Sequence, residues 1–361
     1  MSVKIKEKNV ELMCKKKVII GLSGGIDSAA SAYQLIKEGY EVIGVTFDFF
    51  GSEKTLAAAG LVAERLGIKH HIVHAQKQFQ EKVIEPFIAG YKKGQTPNPC
   101  LLCNREMKFK LLTEFADRND HALIATGHYA EVVKVGDEFK LLASLNQDKD
   151  QSYFLYHLDQ NVLSRVLFPL DCFRSKDAVR QSIKVLLPDL STGNESQGIC
   201  FIPKKNHTLF LKEAVFGSNP TLPGNFVDTA GKILGIHRGI HGFTLGQTRG
   251  LGIKQSKRLV VIDIIPETNT VVLDEEAALF KNEIWIEQLY LHSGADLTGS
   301  ELTFKTCRWG NHYYGNVECL NNGQAIVHCR ESVRAPTPGQ ALVFYRGRQV
   351  LGGGIIKKNL I

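Results

Sequence analysis

Val18-Ile19-Ile20-Gly21-Leu22-Ser23-Gly24-Gly25-Ile26-Asp27-Ser28 is the stretch on which the fold turns. It opens as an apolar run short enough for a buried strand. From Ile26 onward, Ala29, Ala30, Tyr33 and Ile36 recur at helical spacing. A strand that passes through glycines into a helix brings backbone N–H groups and the positive end of the helix dipole to one point. Gly24 and Gly25 leave no Cβ in the way of a phosphate, and Ser23 and Ser28 can donate hydroxyl hydrogen bonds to it. Asp27 can orient the loop or help to hold Mg²⁺. Read as a plain strand-to-helix turn, the string would use Asp27 or Ser28 only as an N-cap; the whole string in this setting favours phosphate binding. It is not a Walker A loop, which ends in Gly-Lys-Ser/Thr.

On either side the same alternation continues. Apolar runs at 42–47, 68–74 and 122–126 read as further buried strands, and residues 55–66, 79–91 and 105–118 as helices. This βαβα order predicts an α/β fold with a doubly wound parallel sheet, whose ligands sit beyond the carboxyl ends of the strands. Around residues 205–225 the texture changes, with breaks at Pro203, Pro220, Pro223 and Gly224. Strand patterns follow at 259–265, 270–273, 302–308, 315–320, 324–329 and 341–346, most of them separated by turn signals such as Asn321-Asn322-Gly323. They predict a small β-rich central domain and then a C-terminal β-barrel. The expected divisions are 1–205, 206–278 and 279–361.

A chain of 361 residues can bury a large core without covalent staples, so its eight cysteines need no disulfide scaffold to explain them. No run of 18 or more apolar residues suggests a membrane span, and the polar, Lys-rich start does not read as a secretory signal. A cytoplasmic protein with reduced thiols is expected. The net charge of +7 is compatible with a polyanionic partner without requiring one.

Three cysteines sit in suggestive places. Thr96-Pro97-Asn98-Pro99-Cys100-Leu101-Leu102-Cys103-Asn104 is a proline-stiffened loop leading into a helix. A thiol just before a helix N-terminus, with Arg105 and Lys108 nearby, is expected to lean toward thiolate. Cys200 lies in Ser196-Gln197-Gly198-Ile199-Cys200-Phe201, after a polar stretch. Cys100-x-x-Cys103 has three readings: half of a zinc site, for which no second CxxC exists; a redox dithiol; or part of a cluster with Cys200. Cys14, Cys172, Cys307, Cys319 and Cys329 read as structural or incidental.

The glycine–serine loop resembles the pyrophosphate-binding loop of the N-type ATP pyrophosphatases, in which ATP adenylates a carbonyl oxygen and pyrophosphate leaves. Further strings, taken in order, are similar to the bacterial tRNA-specific 2-thiouridylases (the MnmA/TrmU family). They include Thr96 to Asn104, Thr126-Gly127-His128-Tyr129-Ala130, Lys149-Asp150-Gln151-Ser152-Tyr153-Phe154, Gly198-Ile199-Cys200-Phe201-Ile202, Leu222-Pro223-Gly224, Thr337-Pro338-Gly339-Gln340 and Leu351-Gly352-Gly353-Gly354. The resemblance covers residue 18 nearly to the C-terminus. It implies ATP-dependent thiolation of the wobble uridine, with Cys200 carrying a persulfide from a sulfur-relay donor protein and Cys103 acting as nucleophile.

It also implies ATP contacts, with Mg²⁺ accompanying the nucleotide, at Gly21, Leu22, Ser23, Gly24, Gly25, Ile26, Asp27, Ser28, Phe47 and Gly127. Base and tRNA contacts fall on Asn98, Pro99, Cys100, His128, Lys149, Asp150, Gln151, Arg308, Trp309 and Gln340. The implied partner is tRNA rather than DNA or a membrane. Arg330, Arg334 and Arg346 are candidate phosphate contacts, or else ordinary solvated charges. Cys100 stands where some family members have Asp, which leaves open an iron–sulfur cluster on Cys100, Cys103 and Cys200. Two rival readings remain: a small-molecule ligase of the same superfamily, and a non-catalytic tRNA-binding protein.

Overall fold

The computed structural model describes residues 16–192, 198–202, 207–216, 223–253, 258–299 and 301–358. Cys14, Ser196, Gln197, Pro203, Pro220 and Leu222, all read above, lie outside them. The first half alternates as the sequence predicts: β1 (Lys17–Gly21), α1 (Ile26–Lys37), β2 (Glu41–Asp48), α2 (Glu53–Leu66) and β3 (Lys69–His74). Local chemistry sets the ends of α2. The Ser52 side chain accepts from Thr55 N–H at its start, and Gly67 takes the left-handed conformation at its close.

Next, α3 (Gln76–Phe79) runs through a π-helical turn, Gln80–Ile84, into α4 (Glu85–Lys92). The helix read at 105–118 begins earlier, as α5 (Pro99–Cys103), and continues through a second π turn, Asn104–Lys108, into α6 (Phe109–Asp117). Pro99 suits a first helical position because its missing N–H is not needed there. Then come β4 (Leu123–Ala125), the hairpin β5 (Ala130–Val135) and β6 (Glu138–Ala143), α7 (Gln160–Leu163), β7 (Val166–Leu167), α8 (Lys176–Ile183), α9 (Pro188–Thr192) and α10 (His207–Phe216).

The first sheet has the order β3-β2-β1-β4-β7, and every pairing is parallel. Val18, Ile19 and Ile20 are fully buried, as expected for a strand covered on both faces. The order reverses between β1 and β4. Ligands of such sheets bind in the crevice that opens there, beyond the strand ends.

The β-rich remainder divides in two. β8 (Gly224–Val227), β9 (Ile233–His237), β10 (Val260–Ile265) and β11 (Thr270–Asp274) form a four-stranded sheet of order β10-β11-β8-β9. β12 (Phe280–Leu291), β13 (Leu302–Lys305), β14 (Tyr313–Cys319), β15 (Ala325–Arg334), β16 (Ala341–Arg346) and β17 (Gln349–Ile356) close into a six-stranded antiparallel barrel through the β12–β17 pairing. The expected strand at 302–308 stops at Lys305, and the residues after it turn toward the first sheet's crevice.

β17 is hydrogen-bonded on both sides, and its glycines answer to that crowding. A Cβ on Gly352 would stand 2.2 Å from the Tyr290 carbonyl oxygen, and one on Gly353 would stand 2.5 Å from that of Leu342. Gly352 also holds φ at +142°. Gly352→Ala is therefore expected to lower stability by about 2–4 kcal/mol, read as a clear fall in Tm.

The barrel is not a detached module. β6 of the first half adds to the edge of β17, with Gln349 opposite Leu142. One hydrophobic core runs from Ile19, Val45 and Ile124 of the parallel sheet through Leu141 and Tyr153 to Val343, Tyr345 and Val350 of the barrel. The Tyr153 hydroxyl donates to the Ala341 carbonyl at 2.8 Å. This shared core fixes one rim of the barrel over the crevice.

Candidate active site

The crevice is a cleft of about 1070 Å³. One wall is the loop between β1 and α1. Gly24 has φ +73°, and a Cβ there would lie 2.8 Å from that of Ala58 on α2. The serines staple the loop: Ser28 Oγ lies 3.2 Å from Ser23 Oγ and donates to the Gly25 carbonyl at 3.0 Å. Gly25 occupies the N-cap of α1 and no side chain caps the helix. The first turn of α1 thus presents backbone N–H groups where Gly25, Ile26 and Asp27 line the cleft, an arrangement suited to an anion. Gly127, two residues beyond β4, packs onto this loop so closely that a Cβ would stand 2.9 Å from Ser28 N.

Asp27 does not project freely. Its Oδ1 accepts from the Tyr129 hydroxyl at 2.7 Å and pairs with Lys176 Nζ at 2.5 Å. Lys176 is only 9% exposed. Among the described residues, Asp27 is the only carboxylate lining the cleft, against Lys108, Lys149, Lys176 and Arg308. The space is therefore electropositive. With Asp27 already paired, Mg²⁺ would rest chiefly on the phosphates of its nucleotide and on water, as it commonly does.

The opposite wall carries the thiols. Asn98 caps α5, its side chain accepting from Cys100 N–H at 3.1 Å. Cys100 is half-buried and lines the cleft, while Cys103 is 6% exposed. Cys103 packs in a cluster with Ala75, Phe79, Val83 and Met107, and Phe201 joins that cluster. Phe201 also sits edge-on to Phe79 and Phe87, at 5.9 and 5.4 Å between ring centroids. Gly198 and Ile199 line the cleft itself. The chain thus carries Cys200, exposed, to the same wall as Cys103, and the two thiols lie within electrostatic range of each other.

The expected lean toward thiolate is not what the structure gives. Burial pushes the Cys103 thiol up to about 12, with Lys108 opposing the rise only in part. Burial likewise raises Cys100, and partial desolvation with the neighbouring Cys100 raises Cys200 although that residue is exposed. The helix starts at Pro99 rather than after Cys103, so Cys103 sits inside a continuing helix and not at its positive end. In the free protein, Cys103 is expected to react with iodoacetamide at pH 8 at least about a hundred-fold more slowly than the exposed Cys319, its rate still climbing at pH 10. Peptide mass spectrometry of timed samples measures this.

The remaining expected contacts divide. His128 is buried, its Nδ1 2.8 Å from Thr126 Oγ1, and desolvation holds its pKa far below the usual range, so it lines the cleft as a neutral ring. Lys149, Gln151, Asn98, Pro99, Arg308, Trp309 and Gln340 also line the cleft. Arg308 Nε and Nη2 donate to the carbonyls of Asp150 and Lys149, both at 3.2 Å, and its guanidinium stacks 4.1 Å over the 67% exposed Trp309 ring. Asp150 faces away, accepting from Ser144 N–H and Ser152 N–H within a buried turn. Phe47 packs against the shared core and Phe49, away from the cleft lining. Arg334 and Arg346 pair with Glu276 and Asp296, and Arg330 lies over the Tyr314 ring. Among the described residues, no three His, Cys, Asp or Glu side chains stand close enough to hold a metal. Cys100, Cys103 and Cys200 as arranged here do not fit an iron–sulfur cluster.

Residues 16–204 match the family described as tRNA methyl transferase HUP domain, residues 210–274 its PRC-barrel domain, and residues 282–356 the aminomethyltransferase beta-barrel domain. The chain is 38% identical to the tRNA-specific 2-thiouridylase MnmA of Clostridium perfringens, over 96% of its own length and 100% of the relative's. It is 36% identical to that of Carboxydothermus hydrogenoformans over 97% and 100% of the two lengths, and 39% identical to that of Trichlorobacter lovleyi over 94% and 97%. The chain belongs to the tRNA-specific 2-thiouridylase family. A solved 4-thiouridine synthetase–RNA complex with bound ATP overlaps 55% of this chain and 50% of its own, at 22% identity and a TM-score of 0.37, which adds nothing to that assignment.

For a 2-thiouridylase-family cleft, sequence reasoning passed over several lining residues. Lys176 is the main one. It opens α8 directly after its cap Ser175, where a lysine opposes the helix dipole. A cation in that unfavourable position was the available signal. Tyr129 and Asn104 fell within the motif strings but were given no role, and Cys307, read as structural or incidental, is an exposed thiol lining the cleft.

Proposed function

We propose that the protein converts the wobble uridine of tRNA to 2-thiouridine at the expense of ATP, working in the cytoplasm with a sulfur-relay donor protein. The observation that carries this reading is a single electropositive cleft with a glycine-amide phosphate loop on one wall and Cys100 and Cys103, with the Cys200 segment, on the other. Residues 1–205 would do the chemistry, 206–278 form a central β-rich unit, and 279–361 hold RNA. The Arg308–Trp309 stack offers a platform for a splayed base.

In this mechanism the uracil C2 oxygen attacks the α-phosphate of ATP, and pyrophosphate departs from the loop at Gly21 to Ser28. The oxygen, a poor leaving group alone, now leaves as AMP. The terminal sulfur of a Cys200 persulfide attacks C2 and expels AMP. The Cys103 thiolate then attacks Cys200 Sγ and breaks the S–S bond, leaving C2=S on the base and a Cys103–Cys200 disulfide, which an external thiol reduces. The high pKa of Cys103 keeps it a neutral thiol until substrate binding changes its surroundings.

Mass spectrometry of tRNA nucleosides from a strain lacking the protein tests the class. Loss of 2-thiouridine derivatives is expected. An unchanged 2-thiouridine level with a missing methylated nucleoside would favour methyl transfer, a reaction that leaves the phosphate loop without a task.

A further inference from the structure

The barrel grips the thiol-bearing loop at one place. Thr96 N–H donates to the Pro338 carbonyl at 2.8 Å, and the Thr96 carbonyl accepts from Gln340 Nε2 at 2.6 Å. Gln340 Oε1 lies 3.5 Å from Asn98 Nδ2, a long contact, on the side chain whose Oδ1 caps Cys100 N–H. Gly339, at φ +90°, lies so close that a Cβ would stand 3.0 Å from Pro97 N. The gripping turn is itself fixed to β17: Gly339 N–H donates to the Ile356 carbonyl, and Ile356 N–H to that of Gln340. Both polar ends of the Gln340 side chain therefore face the catalytic loop, from 244 residues away along the chain.

We infer that Gln340 is a positioning residue. It holds Thr96 and Asn98 so that α5 starts in register and keeps Cys100 and Cys103 at their depth in the cleft wall. The barrel that meets the RNA thereby also sets the thiols. This deepens the thiolation reading and rests on it, although its first test does not. Removing the side-chain amide leaves the Thr96 carbonyl without that donor and loosens the cap of α5.

Gln340→Met keeps the size and removes both polar ends; Gly339→Ala presses on the loop from the neighbouring position. In the free proteins, both variants are expected to speed iodoacetamide labelling of Cys103 several-fold over wild type. In steady-state thiolation, both are expected to lower kcat about ten- to a hundred-fold while KM for tRNA stays within about two-fold. A raised KM for tRNA with unchanged kcat would overturn the inference and make Gln340 an RNA contact. Unchanged labelling of Cys103 in both variants would overturn it as well. Faster labelling in the variants of a protein that proves unable to thiolate would uphold the clamp and fail the thiolation reading alone.

Discussion

Cys103→Ser and Cys200→Ser are each expected to abolish sulfur transfer, by at least about a thousand-fold, while tRNA binding and one round of ATP cleavage survive. Serine nearly keeps the shape of each side chain, so at position 103 it can still fill the place among Ala75, Phe79, Val83 and Met107. What it loses is sulfur chemistry: a hydroxyl neither carries a persulfide nor opens one. In the proposed mechanism pyrophosphate leaves from the other wall, where Gly25 and the first turn of α1 line the cleft without help from either thiol. Thiolated product measured by nucleoside mass spectrometry, set beside tRNA-dependent pyrophosphate release in a single turnover, separates the two halves. A Cys103→Ser, Cys200→Ser double variant that still thiolates would end the mechanism. So would full activity in either single variant, and a small-molecule ligase of the same superfamily would give that result.

Lys176→Met is expected to cut ATP-dependent pyrophosphate release about ten- to a hundred-fold, mostly through KM for ATP. Asp27 is about 36% exposed and takes a hydrogen bond from Tyr129 as well as its ion pair. Losing a partner from a pair whose carboxylate still reaches water costs less than the about 3–5 kcal/mol of a fully buried pair. The larger effect falls on the ligand. Without Lys176, Asp27 faces an incoming triphosphate from the cleft lining with its ion-pair partner gone. Asp27→Asn in the Lys176→Met background should then recover part of the loss, because the repelling charge is gone. Additive effects of the two substitutions would show that neutralising Asp27 is not what Lys176 does. Pyrophosphate release against ATP concentration for the four proteins completes the cycle.

The parallel sheet was legible because its signals are local. The run into Gly21, the helical spacing after Gly25 and the closing Gly67 each act within a few residues. Long-range causes were not. β17 reads poorly as a strand because Gly352, Gly353 and Gly354 are there to let neighbouring strands approach, which only the closed barrel reveals. The hairpin of β5 and β6 finds its partner more than two hundred residues later. The start of α5 was placed too late because Pro97 and Pro99 read as loop, whereas Pro99 is the first residue of the helix. That displacement produced the wrong expectation for the Cys103 thiol. Of the cleft itself, motif strings supplied most lining residues. They did not reveal that Asp27 is matched by Lys176, since α8 lies 149 residues further along the chain.

With one core running from Ile19 to Tyr345, the parallel sheet and the barrel are expected to melt as one cooperative unit. Severed after residue 202, the parallel-sheet half would bare the apolar flank of Tyr153 and Leu141 to water, and the barrel would bare Val343 and Val350. Neither half is a portable cassette, and a lineage could not trade its barrel for another without rebuilding the interior of its parallel-sheet half.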